Sequence, residues 1–182
     1  MKPIYFFTGN ERKFAEMQTL IPQLKQAVID LPEIQELDPQ AVIRAKLETA
    51  IPQTSGSCMV EDTALYLDCL KGLPGPLIKW FLQALGPDGL YELAQKMGNT
   101  RAVAKTVIGY AHTKDEISYF EGSLQGSIVS PRGTAGFGWD AIFQPVGLGK
   151  TFAEMSISEK NEISMRKIAA LQFKTYLQKY SL

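Results

Sequence analysis

Two long runs of alternating apolar and polar residues, Arg101 to His112 and Ile117 to Val129, constrain this chain more than any other feature. Alternation with a period of two puts successive side chains on opposite faces of a strand. The polar stretch Thr113-Lys114-Asp115-Glu116 between the runs reads as a turn. Together they predict a long antiparallel hairpin, and the rest of the fold has to be built around it.

Before the hairpin, strand and helix signals alternate. Ile4-Tyr5-Phe6-Phe7 is a short β-rich run ending at Thr8-Gly9. Asn10 is placed to cap a helix through about Leu20, with Phe14, Met17, Ile21 and Leu24 on one face. Gln26 to Asp30 reads as a second strand. Asp38-Pro39 is a helix start, with Asp as cap and Pro at the first position, and that helix runs to about Ile51. Ser57 to Val60 reads as a third strand that stops at Glu61-Asp62, with Ala64 to Leu67 as a possible continuation. After a Gly/Pro turn, Ile78 to Leu85 is helical, and Pro87-Asp88-Gly89 breaks it before a second helix through about Lys96. Arg132 to Gly138 is a Gly-rich loop, and Ser158 or Glu159 opens a last helix reaching about Lys179. Strands alternating with helices, plus one hairpin, predict an α/β fold with a mixed sheet, as a single two-lobed domain over residues 1–182.

Composition narrows the chemistry. The 182 residues carry 19 basic and 19 acidic side chains, a balance that argues against a nucleic-acid-coating surface or a polybasic membrane patch. No apolar run is long enough to span a bilayer, and Met1-Lys2-Pro3-Ile4 lacks a signal-peptide core, so a cytosolic location is expected. Cys58 and Cys69 lack CxxC spacing and read as buried free thiols. His112 is the only histidine, which excludes Ser-His-Asp and Cys-His catalysis and a multi-histidine zinc site. Any general base is then almost forced to be a carboxylate.

The candidate carboxylates are Glu61 and Asp62. Adjacent on a strand, they point to opposite faces, so they can be split between a hard-metal ligand and a base for water. Thr8-Gly9-Asn10-Glu11-Arg12-Lys13 takes a strand into a helix N-terminus, where free N–H groups, Thr8, Asn10 and Lys13 suit a phosphate; this is not a Walker A loop. An acidic segment, Asp30, Glu33, Glu36 and Asp38, is either solvated or a source of a second metal ligand. Lys46, Lys79, Lys160 and Arg166 are scattered cations; Lys79 stands out because it lies inside the apolar run Ile78-Lys79-Trp80-Phe81. Phe137-Gly138-Trp139-Asp140 either offers a stacking wall for a base or anchors its loop to the core.

In order along the chain stand Thr8-Gly9-Asn10-x-x-Lys13, Val60-Glu61-Asp62-Thr63, Gly72-Leu73-Pro74-Gly75-Pro76 with Lys79-Trp80-Phe81, Phe137-Gly138-Trp139-Asp140, Ala153-Glu154-Met155 and Glu159-Lys160-Asn161. With these six motifs the chain strongly resembles the inosine triphosphate pyrophosphatases over nearly its whole length, in the form closest to eukaryotic-type members. The resemblance implies a two-lobed α/β fold with an active-site cleft between the lobes, and usually a homodimer. It implies Mg²⁺-dependent hydrolysis (Mn²⁺ as a substitute) of ITP, dITP and XTP to the monophosphate and pyrophosphate. Position by position, it implies that Thr8, Gly9, Asn10 and Lys13 hold phosphates, that Glu33 and Glu61 bind the metal, and that Asp62 activates water. Lys46, Lys79 and Lys160 would contact phosphate or position the nucleotide; Phe137, Gly138, Trp139 and Asp140 would form the nucleoside wall, with Arg166 on the base edge.

One departure concerns base choice. The family usually carries Ser-His-Arg where this chain has Ser164-Met165-Arg166, so Met165 replaces a hydrogen-bonding side chain with a flexible apolar one. Two rivals follow: a pyrophosphatase of altered base specificity, and a nucleotide-binding regulator without turnover. Retention of Glu61, Asp62 and Lys13 argues against the second, since a pure binder needs no water-activating carboxylate.

Overall fold

The structure, a computed structural model, describes residues 3–113 and 116–180; Met1-Lys2, Ser181-Leu182, and Lys114 and Asp115 of the expected turn lie outside the described residues. The strands are β1 (Ile4–Phe7), β2 (Leu24–Ala27), β3 (Ser57–Leu67), β4 (Pro74–Gly75), β5 (Arg101–Thr113), β6 (Glu116–Ile128) and β7 (Phe143–Pro145). The helices are α1 (Glu11–Leu20), α2 (Pro39–Ala50), α3 (Ile78–Lys96), α4 (Ile157–Ile163) and α5 (Met165–Lys179), with a short 3-10 turn at Phe152–Glu154. Strand order is β2-β1-β3-β5-β6-β7, and β4 pairs with β3. β1 runs parallel to β2 and β3, whereas β4 and β7 pair antiparallel with β3 and β6, so the sheet is mixed as expected.

The chain divides into two compact units. The first comprises Met1–Asp62, Thr106–Gly122 and Met165–Leu182; the second comprises Thr63–Lys105 and Ser123–Ser164. β3, β5 and β6 contribute residues to both.

In the first unit, strand alternation sorts the core onto two faces. Phe6, Met59, Ile108 and Tyr110 pack with Met17 and Ile21 at α1 and with Ala169, Phe173 and Leu177 on α5. Phe7, Cys58, Val60, Val107 and Ala111 pack with Ile43 and Leu47 of α2. Burial pushes the Cys58 thiol up to about 11, so it behaves as a packed hydrophobe. Gly122 lets α5 begin against β6, since a Cβ there would lie 2.0 Å from the Met165 carbonyl oxygen. Asn10 caps α1 by accepting from Lys13 N, and Asp38 caps α2 by accepting from Gln40 N, as their positions predict.

In the second unit, Trp139, Phe143 and Phe152 form an aromatic cluster with ring centroids 5.2–6.1 Å apart. α3 kinks at Gly86 (φ 66°, ψ 177°), one residue before the expected break at Pro87. No helix among the described residues is long and apolar enough to cross a membrane.

Four expectations change. β3 does not stop at Glu61-Asp62 but runs through both to Leu67, because cations from helices on either side pair with them. β2 lies at Leu24–Ala27 rather than at 26–30, set by its register against β1; Leu24 therefore belongs to β2, not α1, and Val28 is 68% exposed. The last helix is two helices, α4 and α5, parted at buried Ser164, whose backbone is extended (φ −65°, ψ 153°). Cys69 is half-buried rather than buried.

Candidate active site

The first unit gathers charges from four elements. The side chains of Glu61 and Asp62 leave β3 on opposite faces. Glu61 falls on the α1/α5 side, where Arg166 donates to it twice: Nε to Oε2 at 2.7 Å and Nη2 to Oε1 at 2.9 Å. Lys13 Nζ lies 3.3 Å from the same Oε1. Glu16, one helical turn after Lys13, accepts from Arg166 Nη1. Two carboxylates and two cations thus balance, around an Arg166 that is 1% exposed. Burial opposes the guanidinium's charge, but Glu61 and Glu16 more than offset it and hold its pKa above the usual value. The fork geometry of Arg suits this bidentate grip.

Asp62 falls on the α2 side. Lys46 Nζ donates to Asp62 Oδ1 at 2.6 Å, and the Asp62 side chain keeps 13% of its surface exposed. Asp62 is thus oriented by one lysine and still reached by water. At the end of β1, which pairs with β3, the β1–α1 junction forms the expected turn: Thr8 Oγ1 accepts from Asn10 N at 3.1 Å, and Gly9 and Asn10 are exposed.

Of the residues expected to act, this unit brings Lys13, Lys46, Glu61, Asp62 and Arg166 into ion pairs. Glu33 is exposed on the segment between β2 and α2. Among the described residues no three His, Cys, Asp or Glu side chains are grouped to hold a metal. Glu61 and Glu33 are hard-oxygen donors of the type Mg²⁺ takes, one or two at a time, together with phosphate oxygens. Glu61, however, already faces two cations, so an ion there requires Lys13 or Arg166 to draw back. Glu16 is the member that sequence reasoning missed; its only signal is the i,i+3 spacing from Lys13. His112 is bonded elsewhere, its Nδ1 3.3 Å from Ser57 Oγ and 3.4 Å from Tyr110 OH.

The second unit assembles a different set. Asp140 Oδ2 accepts from Phe137 N at 2.9 Å and from Lys160 Nζ at 2.8 Å. Lys160 is 4% exposed, with its Nζ 5.0 Å from the Phe137 ring and 5.3 Å from the Phe152 ring. Gly136 lets the loop close on Asp140, since a Cβ there would lie 2.3 Å from Asp140 Oδ2. Trp139 is 6% exposed and packs on Phe143 and Phe152, the anchoring alternative for this motif, which leaves Phe137 as the aromatic with an open face. Lys79 is exposed on α3 despite its apolar neighbours, because the helix turns it away from buried Ile78; its Nζ lies 5.7 Å from the Trp80 ring.

Lys160 rides on α4, which Ser156 caps in a reciprocal box with Glu159. The hydrogen bond from Lys150 and then that from Ser156 N hold the Glu159 carboxyl down at about 2. A depressed carboxyl adds stability above its unfolded pKa, and that contribution is lost as pH falls through its folded value. The capping box should therefore survive to about pH 2. In an NMR titration of Glu159, Lys150→Met should move the midpoint up toward the usual 4.5; an unmoved midpoint would assign the effect to Ser156 alone.

These features define an α/β protein whose first unit holds a carboxylate–cation cluster at a strand centre and a helix N-terminus open to an anion. The Ham1 family model matches residues 4–176, and the chain belongs to that family. It is 40% identical to the inosine triphosphate pyrophosphatase of Schizosaccharomyces pombe, covering 98% of this chain and 96% of that one. Inosine triphosphate pyrophosphatase 1 of Trypanosoma cruzi is 42% identical, over 93% of this chain and 89% of its own. Among solved structures, a HAM1 protein from Coxiella burnetii superposes with a TM-score of 0.83 at 27% identity, covering 98% of this chain and all of that chain. The Staphylococcus aureus Ham1 protein, at 24% identity, shares the fold with a TM-score of 0.78, covering 97% of this chain and 99% of that one.

Proposed function

We propose that this protein is a nucleoside triphosphate pyrophosphatase that hydrolyses ITP, dITP and XTP to the monophosphate and pyrophosphate. Such an activity clears deaminated purines from the nucleotide pool. The observation that carries the reading is the division of labour across β3, with Asp62 held by Lys46 on one face and Glu61 in a cation cage on the other. The curated relatives named above support the substrate class.

In the mechanism proposed, the α1 N-terminus, Thr8, Asn10 and Lys13 take phosphate oxygens, where the first-turn N–H groups and the helix dipole favour negative charge. Asp62, oriented by Lys46, accepts a proton from the water that attacks phosphorus. Lys13 and Lys46 balance the charge that develops on the phosphates in the transition state. A divalent ion, Mg²⁺ or Mn²⁺, would neutralise triphosphate oxygens when bound, with Glu33 and Glu61 as the carboxylates that would hold it. Without a bound ion, Lys13 and Arg166 balance the charge of Glu61.

The second unit's Phe137, Gly138, Asp140 and Lys160 are proposed to receive the nucleoside, with Lys79 as a further phosphate contact. A 6-keto purine presents an acceptor where adenine presents a donor, and a pocket of buried donors rejects the mismatch strongly. Met165 is 2% exposed, so it adds no polar contact to that choice. A cytoplasmic homodimer with no nucleic-acid or membrane partner belongs to the same reading and rests on the resemblance and the balanced charge.

The test is pyrophosphate release across a panel of ITP, XTP, dITP, ATP and GTP, with Mg²⁺ and with EDTA. Release from ITP and XTP well above ATP, abolished by EDTA, is expected. Equal rates on ITP and ATP would move the reading to altered specificity, and binding without release would make the protein a regulator.

A further inference from the structure

The loop that carries Phe137 and Asp140 spans irregular backbone from Ser130 to Ala141, with left-handed glycines at 133, 136 and 138. Neither strand nor helix holds it, so other bonds must. Ala153 of the 3-10 turn bonds it twice, accepting from Ala135 N at 3.1 Å and donating to Asp140 O at 3.1 Å. The position of that turn therefore sets the position of the loop.

A single side chain grips the turn from below. Arg132 Nε donates to Glu154 Oε2 at 3.1 Å, while its Nη2 donates to Gln144 Oε1 at 2.7 Å and to Gly149 O at 3.2 Å. Its backbone closes the ring: Arg132 N donates to Ala141 O at 2.9 Å, and Arg132 O accepts from Thr151 Oγ1 at 2.9 Å. Glu154 Oε2 also accepts from Thr151 N at 2.7 Å, so the guanidinium joins β7, the turn at Gly149 and the 3-10 turn. Gly133 makes the approach possible, because a Cβ there would lie 2.3 Å from Ala153 O.

We propose that Arg132 is a positioning residue for nucleoside recognition: through Glu154 and Ala153 it fixes where Phe137 and Asp140 stand. This rests on the function proposed above. The arrangement needs a planar fork, since three acceptors in different directions are reached from two nitrogens and a lysine's point charge cannot span them. Arg132 touches no reacting group in this mechanism, so its loss acts on binding and leaves the chemical step intact.

The test compares wild type, Arg132→Met and Arg132→Lys by steady-state kinetics on ITP and by affinity for inosine monophosphate. Both variants should raise KM and weaken the monophosphate about tenfold, with kcat kept within about twofold, the pattern of lost binding rather than lost chemistry. A stabilising role alone would lower Tm without moving KM of the folded enzyme. Wild-type KM in either variant overturns the proposal, as does a fall in kcat at unchanged KM. Should Arg132→Met not fold, Gln144→Ala removes one anchor; a raised KM supports the proposal and an unchanged one overturns it. Wild-type turnover of ITP tests the function separately, and the variant-to-wild-type ratio of monophosphate affinities still reads the loop if turnover is absent.

Discussion

Asp62→Asn should lower kcat for ITP by roughly 10²–10⁴-fold, the usual worth of a positioned general base, while nucleotide affinity changes little. The expectation follows from β3. Asp62 is the carboxylate on the α2 face, held at 2.6 Å by Lys46 and still partly open to water. Glu61 cannot take its place, because both of its oxygens accept from Arg166 and its side chain is fully buried. His112, the only imidazole, has its Nδ1 against Ser57 and Tyr110. Asparagine keeps the shape and can still meet Lys46 through its carbonyl, so the variant isolates proton acceptance from folding. Single-turnover rates with monophosphate affinity measured in parallel provide the check. Turnover within a factor of about three of wild type would remove Asp62 from the role and leave the base unassigned.

What could be read in advance was local. Asn10 and Asp38 cap helices, the break read at Pro87-Asp88-Gly89 falls one residue earlier at Gly86, and the two alternating runs become β5 and β6, because each of these depends on residues a few positions apart. The opposite-face argument for Glu61 and Asp62 also holds, since the pleat of a strand enforces it. The strand's passage through both residues was not legible. Two adjacent carboxylates look like an edge until Arg166, 105 positions away, and Lys46, 16 positions away, are seen to neutralise them. Glu16 was missed for the same reason: a glutamate near a lysine on a helix usually marks a solvated face, and only α5 makes it interior. Lys79 erred the other way. Its apolar neighbours set it apart from ordinary surface lysines, but it is exposed, since one residue on a helix is a rotation of about 100°. The break at Ser164 carries no Gly or Pro, so no residue near it announces it.

Arg166→Met should destabilise the protein by about 3–5 kcal/mol, because it strands two buried carboxylates beside an apolar side chain. Glu16 and Glu61 are both buried, and each accepts from the guanidinium. Lys13 compensates Glu61 in part, from 3.3 Å and a more exposed position, so it softens the loss without removing it. Urea unfolding of wild type, Arg166→Met and the triple variant Arg166→Met/Glu16→Gln/Glu61→Gln would resolve the origin. If charge imbalance is the cause, the triple variant recovers much of the loss, since neutral replacement of a buried ionic group is often tolerated. A single-variant loss below about 1 kcal/mol would show that the cluster is relaxed or solvated in solution. The same variant addresses base choice. The family resemblance places Arg166 on the base edge, whereas here its donors reach Glu61 and Glu16. At a temperature where the variant remains folded, an equal fall in kcat/KM for ITP and ATP makes Arg166 the holder of the carboxylates. A fall confined to ITP means that the guanidinium leaves Glu61 when a 6-keto base binds.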